Sequence, residues 1–224
     1  MPPRSLPVAA PRGGSRSGPA KPDPRTPLDA VEPDRARTTS TALWLFIGVA
    51  TTFFSLFLVA YGMRMDAVDW SPIPMPPQLW LSTLLLLAGG VFMHFAGSTA
   101  AAGQGTRLKP MLIAGGAAAA AFVGSQLWGW QALIDQRVML SGNPAASFFY
   151  VLTALHGLHV LGGLVAWSIA AQALSTPAAE LRAVAWRVQL CARYWHFLFA
   201  VWLVLFAALA LLTPEIVRYI CGRS

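Results

Sequence analysis

The chain has 224 residues, of which 56% are hydrophobic and only 11% are charged, and its mean hydropathy is +0.55. Soluble domains carry about 25% charged residues, so this composition excludes an ordinary soluble globular protein. The net charge of +7 would suit a nucleic-acid binder only if Lys and Arg gathered on a folded polar face. Here they lie in an N-terminal tail and in short loops. We therefore expect no nucleic-acid partner, and a membrane protein whose basic residues set its orientation.

Residues 1–40 precede the first apolar segment and are rich in Pro and Arg. They hold too little apolar surface to offset the entropy of ordering, and no apolar run long enough for the core of a signal peptide. The sequence therefore predicts a disordered cytoplasmic tail over 1–40 and a membrane domain over 41–224.

Five apolar segments follow the tail, and each is close to the roughly 20 residues that a helix needs to cross about 30 Å of hydrocarbon. None of them contains Asp, Glu, Lys or Arg. They are too long and too uniformly apolar for barrel strands, and backbone groups in lipid must be satisfied internally. The sequence thus predicts an all-α integral membrane protein, a bundle of five transmembrane helices. The predicted spans are 41–61, 79–96, 111–130, 147–171 and 194–212.

The basic residues outside the spans indicate the orientation of the bundle. Most of them lie in the tail and in the second and fourth connections, among them Arg107, Lys109 and Arg187. The opposite side holds Arg64, Arg137 and the two arginines that follow the fifth span. The positive-inside rule then places the N-terminus in the cytoplasm and the C-terminus outside.

Two connections have features of their own. The outer one, 62–78, contains Trp70 and four prolines, which predicts a stiff lid on the membrane surface. In the fourth connection, Ser-Thr-Pro at 175–177 predicts the start of a helix. Apolar residues then recur at helical spacing up to Arg193, which predicts an interfacial helix leading into the fifth span.

Small residues recur every four positions in the third span. Gly116, Ala120 and Gly124 form one such row, and positions 117, 121 and 125 form a second. Rows of this kind let helix backbones approach closely in lipid. Contact within the same bundle and contact with another subunit both fit the pattern.

The two cysteines, Cys191 and Cys221, show no metal-binding or redox spacing. They lie near opposite ends of the last span, so a disulfide between them would have to cross the bilayer. We expect two free thiols.

Because the spans carry no charged residue, they lack the usual groups of a proton relay or ion carrier. Four histidines remain as possible ligands. His156 and His159 lie three apart near the midplane, whereas His94 and His196 lie at the cytoplasmic ends of the second and fifth spans. Because the two pairs lie at different depths in the membrane, the four histidines cannot all bind one metal centre. We favour neutral histidines that form hydrogen bonds between helices. The alternatives are haem ligation by His94 and His196, or a copper or zinc site at His156 and His159.

Two motifs in the fourth and fifth spans carry a family resemblance. Residues 148–163 read FFYVLTALHGLHVLGG, and residues 194–206 read YWHFLFAVWLVLF. Both are similar to subunit III of the haem–copper oxidases, the superfamily of cytochrome c oxidases and quinol oxidases. Weaker similarity extends over about 42–213 and includes Gln126 in the third span. Five spans resemble the shorter bacterial form of this subunit.

The resemblance implies a supporting role. Subunit III of these enzymes carries no haem or copper; it packs beside subunit I, holds lipids, and protects turnover and assembly. We therefore expect a non-catalytic subunit of a haem–copper terminal oxidase in aerobic respiration, located in a bacterial cytoplasmic membrane. Its expected partners are subunits I and II, which hold the haem and copper, and membrane lipids. The resemblance implies no catalytic, cofactor-binding or metal residue in this chain, and packing or interface roles for His156, Gly157, His159, Gly163, Trp195, His196, Trp202 and Gln126.

Three positions depart from the family pattern. Family members usually have membrane carboxylates where Ala50, Gly129 and Phe199 stand in this chain. The first-span carboxylate is linked in family members to sustained proton uptake, so that role is not transferred to Ala50. The accessory subunit of nitric oxide reductases has the same architecture and is the main alternative. A small stand-alone b-type cytochrome and a small-solute channel or carrier are further alternatives.

Overall fold

The computed structural model describes residues 27–175 and 181–220, with residues 27–36, 175, 181–183 and 220 described by their backbone alone. Within these ranges the chain forms helices and no strand, which confirms the all-α fold. The helices are α1 (Pro27–Arg64), α2 (Gln78–Ala101), α3 (Gly105–Asp135), α4 (Pro144–Ser175), α5 (Leu181–Leu211) and α6 (Pro214–Ile220). Five of them, α1–α5, are long and apolar enough to cross a membrane. The chain divides into two compact units, Met1–Arg37 and Thr38–Ser224, and the second unit contains the helix packing.

Helix α1 begins within the segment predicted as a tail. Its first residue is Pro27, whose ring fixes φ near the helical value and whose missing N–H would have no partner in a first turn. The predicted first span starts at 41, so the helix continues well beyond the apolar residues that define the span. The remainder of the predicted tail, 1–26, lies outside the described residues, as does Cys221.

Helix α5 is longer than predicted. The predicted interfacial helix and the fifth span form one continuous helix from Leu181 to Leu211. The apolar residues of the interfacial pattern explain the continuity, because Val184 and Val188 are buried in the bundle core. The proposed start of that helix at 176–177 falls outside the described residues.

Two further differences lie in connections. Helix α3 begins at Gly105 and contains Pro110 in its second turn, where the proline removes one backbone hydrogen bond near the helix end. After α5, the chain forms the short helix α6, which the hydropathy pattern does not reveal because it is too short to span a membrane.

Helices α2–α5 form a closed ring. The contact between α2 and α3 is the most extensive, and α3 with α4, α4 with α5, and α5 with α2 complete the ring. Large side chains fill the centre, where exposure is below 2% for each of them. They include Leu86, Met93, Phe122, Trp195 and Trp202. Dense packing of this kind fixes the relative positions of the four helices.

Helix α1 lies at the edge of this ring. Only 11% of its most apolar stretch is buried, against 33–39% for the corresponding stretches of α2–α5. One stripe of residues makes its contacts, with Phe46, Ala50, Phe54 and Tyr61 following one another at helical spacing. Side chains on its other faces, such as Phe53, are exposed. Helix α1 therefore contacts the ring of helices through one stripe of side chains.

The outer connection packs over the end of α1. The ring of Trp70 contacts Tyr61 at a centroid distance of 5.3 Å, and Val217 of α6 belongs to the same apolar cluster. An exposed ion pair joins Arg64 Nη2 to Asp69 Oδ2 at 2.9 Å. Exposed pairs contribute little stability, so the apolar cluster is the main contact that holds this connection.

The first row of small residues in α3 has two different environments. A Cβ atom on Gly116 would lie 2.2 Å from Cε2 of Trp167 in α4, whereas a Cβ atom on Gly124 would meet no atom within 4 Å. The indole Nε1 of Trp167 donates to the carbonyl oxygen of Leu112 at 2.7 Å. Gly116 thus provides the space in which Trp167 lies, and its contact is within the bundle.

Candidate functional site

His156 lies at the centre of the bundle inside a cage of aromatic rings. It is fully buried, and its ring is 5.2 Å from Trp202, 5.7 Å from Phe122 and 6.3 Å from Phe54, measured between centroids. Neither imidazole nitrogen has a hydrogen-bond partner among the described residues. The expected hydrogen bond from this histidine to another helix is therefore not formed among the described residues, where its neighbours are aromatic rings.

Hydrogen bonds from aromatic side chains connect the helices around this cage. The indole Nε1 of Trp202 donates to Oγ1 of Thr83 at 2.9 Å and links α5 to α2. The hydroxyl of Tyr194 donates to the carbonyl oxygen of His159 at 3.0 Å and links α5 to α4. Both donors lie in the YWHF…W motif of the fifth span. The motif residues are thus used for contacts between helices.

His159 lies where α1 meets α4. Its ring is 5.6 Å from Phe46 and 5.3 Å from Phe54, and its Nδ1–H donates to the carbonyl oxygen of Leu155 at 2.7 Å. A cavity of about 290 Å³ beside this ring is lined by α1 residues that include Ala50. Ala50 itself is buried, so the position of the usual family carboxylate faces the contact between α1 and the ring of helices.

A wider groove continues from this cavity towards the beginning of α5. Its volume is about 580 Å³, and Phe46 lines both spaces. Cys191 lies in its wall and is a free thiol, as predicted. The groove separates Thr39, Leu43 and Phe46 of α1 from α4 and α5.

The two glycines assigned to helix packing in α4 differ. A Cβ atom on Gly163 would lie 3.1 Å from Cε1 of Tyr194 and 3.2 Å from Cδ1 of Leu198, so Gly163 permits close approach of α5. A Cβ atom on Gly157 would meet no atom within 4 Å. Gly157 therefore makes no close contact within the described part of the chain, because the register of α4 turns it away from the neighbouring helices, and its predicted role at a subunit interface stays a prediction.

Gln126 and Trp195, two other residues predicted to have packing or interface roles, are buried and have polar atoms without a hydrogen-bond partner among the described residues. Gln126 is 7% exposed, and both atoms of its amide lack a partner among the described residues; the same holds for Nε1 of Trp195. Next to Gln126, the hydroxyl of Ser125 accepts from the hydroxyl of Ser82 at 3.0 Å and joins α3 to α2. The hydroxyl groups, not the amide, make the hydrogen bond between these helices.

The structure brings His94 and His196 together, with ring centroids 5.6 Å apart and both side chains exposed. The helices touch about one turn away, where a Cβ atom on Gly97 would lie 3.4 Å from Cβ of Ala192. A porphyrin between the two imidazoles would need α2 and α5 to separate. This packing disfavours the b-type cytochrome.

The remaining candidate positions do not form a ligand cluster. Within the described ranges, no three residues of the types His, Cys, Asp and Glu are grouped as a metal site requires. Gly129 faces Gln78 and Leu79 at the start of α2, and Phe199 is half-buried on α5. Neither Gly129 nor Phe199 can supply the carboxylate that family members usually have at these positions.

The sequence interpretation missed several residues that build this region. Phe54, Phe122 and Thr83 come from three different helices and complete the surroundings of His156 and Trp202. Nothing in the spacing of a uniformly apolar helix shows which face turns inward, and that is why these residues carry no local signal. Aromatic residues at similar depth on separate spans would have been the one available indication.

Comparison with known proteins gives a consistent result. A family model described as cytochrome c oxidase subunit III matches residues 38–212 of the chain. A probable cytochrome c oxidase subunit 3 of Nocardia farcinica is 28% identical over 177 residues, which cover 76% of this chain and 82% of the relative. A probable cytochrome c oxidase subunit 3 of Mycobacterium tuberculosis strain H37Rv is 27% identical with the same coverage. A cytochrome c oxidase subunit 3 of Synechocystis is 27% identical and covers 75% of this chain and 73% of the relative.

Proposed function

The chain belongs to the cytochrome c oxidase subunit III family and is a subunit III of a haem–copper oxidase, and from this premise we propose that it supports the catalytic subunit without an active site of its own. The proposal is supported by one observation: residues of the two family motifs in α4 and α5 make contacts between helices. Trp202, Tyr194 and Gly163 hold α2, α4 and α5 together, and the His156 ring is enclosed by aromatic side chains. Residues used in this way make a rigid scaffold.

The proposed partners are subunits I and II of the same oxidase. The family places the chain in an oxidase complex with other subunits. Haem and copper would lie in those partners, where the electron transfer and oxygen chemistry take place, and this chain would contribute stability and a packed lateral surface. His196 and Gly157 are proposed interface residues, because each has open space around it within the chain.

The protein is a multi-pass membrane protein, and five helices in the described part of the chain are long and apolar enough to cross the membrane. We place it in a bacterial cytoplasmic membrane with its N-terminus in the cytoplasm and its C-terminus in the periplasm. The support for this orientation is the concentration of basic residues at the beginnings of α3 and α5, including Arg107, Lys109 and Arg187.

The proposal does not include the proton-related role of the first-span carboxylate. Ala50 cannot bind a proton, and its neighbours in the cavity next to α1 are aromatic or aliphatic apart from His159. We infer that any effect of this subunit on the catalytic subunit is transmitted through packing at this position.

The test is affinity purification of the tagged chain from gently solubilised native membranes. We expect a haem-bearing subunit I and a subunit II to co-purify in roughly equal amounts, with an oxidase spectrum that the isolated chain lacks. Recovery of a nitric oxide reductase catalytic subunit would reassign the chain to the alternative that the comparisons do not favour. Haem bound to the purified chain alone would contradict a non-catalytic role.

A further inference from the structure

Three basic side chains form an exposed patch where α2 and α5 pack together. His94 on α2 and His196 on α5 are 5.6 Å apart between ring centroids, and Arg193 lies one turn before His196 on the same helix. All three side chains are exposed, and we call them the α2–α5 patch. The patch belongs to helices that span the membrane.

Among the described residues, Nδ1 of His196 is the one polar side-chain atom of the α2–α5 patch with a hydrogen-bond partner in the chain. Nδ1–H of His196 donates to the carbonyl oxygen of Ala192 at 2.5 Å, which leaves Nε2 of the neutral ring as an acceptor. Among the described residues, neither Arg193 nor His94 has an ion pair. The sequences of α2 and α5 contain no Asp or Glu, so neither of these helices supplies a carboxylate to compensate the positive charge of Arg193.

On the side that faces the middle of the membrane-spanning helices, the surroundings of the α2–α5 patch are apolar. Exposed side chains continue along the same two helices away from it, with Leu87 and Val91 on α2 and Leu203 and Val204 on α5. Ionisable residues within spanning helices usually face protein or water and pair with another group. An imidazole pair that borders an apolar outer face is therefore well matched to a covering protein surface with a complementary group.

We propose that the α2–α5 face is the docking surface for a neighbouring membrane subunit that presents a carboxyl group to His94 and His196. The inference rests on the proposed function, which requires such a neighbour. Charge complementarity identifies the group: a carboxylate pairs with Arg193 and with a protonated imidazole, and a protonated carboxyl donates to Nε2 of the neutral ring. His196 lies roughly 4.5 Å further along α5 than Arg193, towards the apolar end of the face, so a side chain reaches it more readily than a lipid phosphate does.

The first test is site-specific photocrosslinking in native membranes. A photoreactive residue is introduced at Ala200, which is exposed one turn beyond His196 and leaves the patch intact, and at Val165 on α4 as the matched control. We expect an adduct with the haem-bearing subunit from position 200 and none from position 165. An adduct with that subunit from 165 alone, or with lipid alone from 200, overturns the inference.

The second test removes the polar groups. In the purified complex, the double variant His94→Ala/His196→Ala should lose this subunit roughly tenfold faster in a detergent wash than the wild type or the control Leu203→Ala. His196→Gln, which restores one polar group, should recover part of the retention. Equal retention of all the variants contradicts the proposal.

Failure of the docking surface can be distinguished from failure of the proposed function. If the wild-type chain co-purifies with no oxidase subunit at all, the proposed function itself fails. If the wild-type complex is intact while crosslinks and variants show that the α2–α5 face is uncovered, only the docking surface is wrong. The thermal stability of the isolated variant chains checks the fold, and we expect it to be unchanged because the substituted side chains are exposed.

Discussion

His156 shows how a polar residue can be held in a membrane bundle by rings. A buried polar group without a hydrogen bond usually destabilises the folded state. Here the imidazole packs against Trp202 and Phe122 on two neighbouring helices, so its contacts resemble those of an aromatic core residue. Its shape, more than its nitrogen atoms, holds the centre of the bundle.

The exchange of His156 for Phe tests this view. His156→Phe should leave the thermal stability of the solubilised protein unchanged or higher, because the ring contacts persist and two unpaired nitrogen atoms disappear. His156→Ala should lower the stability by about 2–4 kcal/mol through the cavity that it creates. The measurement is the fraction of monodisperse protein after heating. Equal losses in both variants would show that the imidazole nitrogens matter.

Glycines at Gly116 and Gly124 provide a matched pair. Gly116→Ala places a methyl group into the ring of Trp167, which is tethered by its hydrogen bond to Leu112, and should cost about 1–3 kcal/mol. Gly124→Ala should have little effect, since the added methyl group meets no atom within 4 Å. The same heating assay compares the two, and similar stabilities would rule out the close contact between α3 and α4.

Helix α1 differs from the other spanning helices in how it is held. Phe54 packs between Leu152 of α4 and Leu205 of α5, and the groove lined by Cys191 lies beside the same helix. A helix that contacts its neighbours along one line has a low free energy of local separation compared with a member of the closed ring. We therefore expect α1 to be the first spanning helix to detach.

Reactivity of Cys191 reports on this helix. In a Cys221→Ser background, Phe54→Ala should raise the rate of Cys191 labelling by a membrane-permeant maleimide at least about tenfold, because loss of the Phe54 contact favours the detached state. Phe53→Ala is the control, since Phe53 is exposed on the same helix. Should Phe53→Ala accelerate labelling equally, α1 would not be attached through the Phe54 stripe.

At the scale of elements, the sequence predicts the five spans but not which spans pack against one another. Charge-free apolar runs are sufficient to identify the spans, since lipid requires them. Such runs are apolar on every face, so they do not indicate which helices form the ring or that α1 lies outside it. The amphipathic pattern at 181–193 predicts an interfacial helix because its apolar stripe alternates with charged residues, but that stripe packs into the bundle core, where Val184 and Val188 are buried.

At the scale of the whole molecule, the candidate site was predicted better by resemblance than by chemistry. The motifs identified the central residues of α4 and α5, including Trp202 and Gly163, and the family match supports the assignment of the chain. Their partners on α2 and α3 depend on tertiary packing between distant segments, for which one sequence contains no signal. The contrast between Gly163 and Gly157 likewise depends on the register of α4 against α5.

The closed ring also sets an order for biosynthesis. Its final link is the contact between α2 and α5, in which one hydrogen bond joins Thr83 to Trp202 across 119 positions of the chain. While the chain emerges from the ribosome, α2 can pair with α3, but its second face stays uncovered until α5 has entered the membrane. The newly inserted protein therefore passes through an interval in which the inner face of α2 is open to lipid or to insertion factors, and a chain truncated before α5 lacks the helix that covers this face.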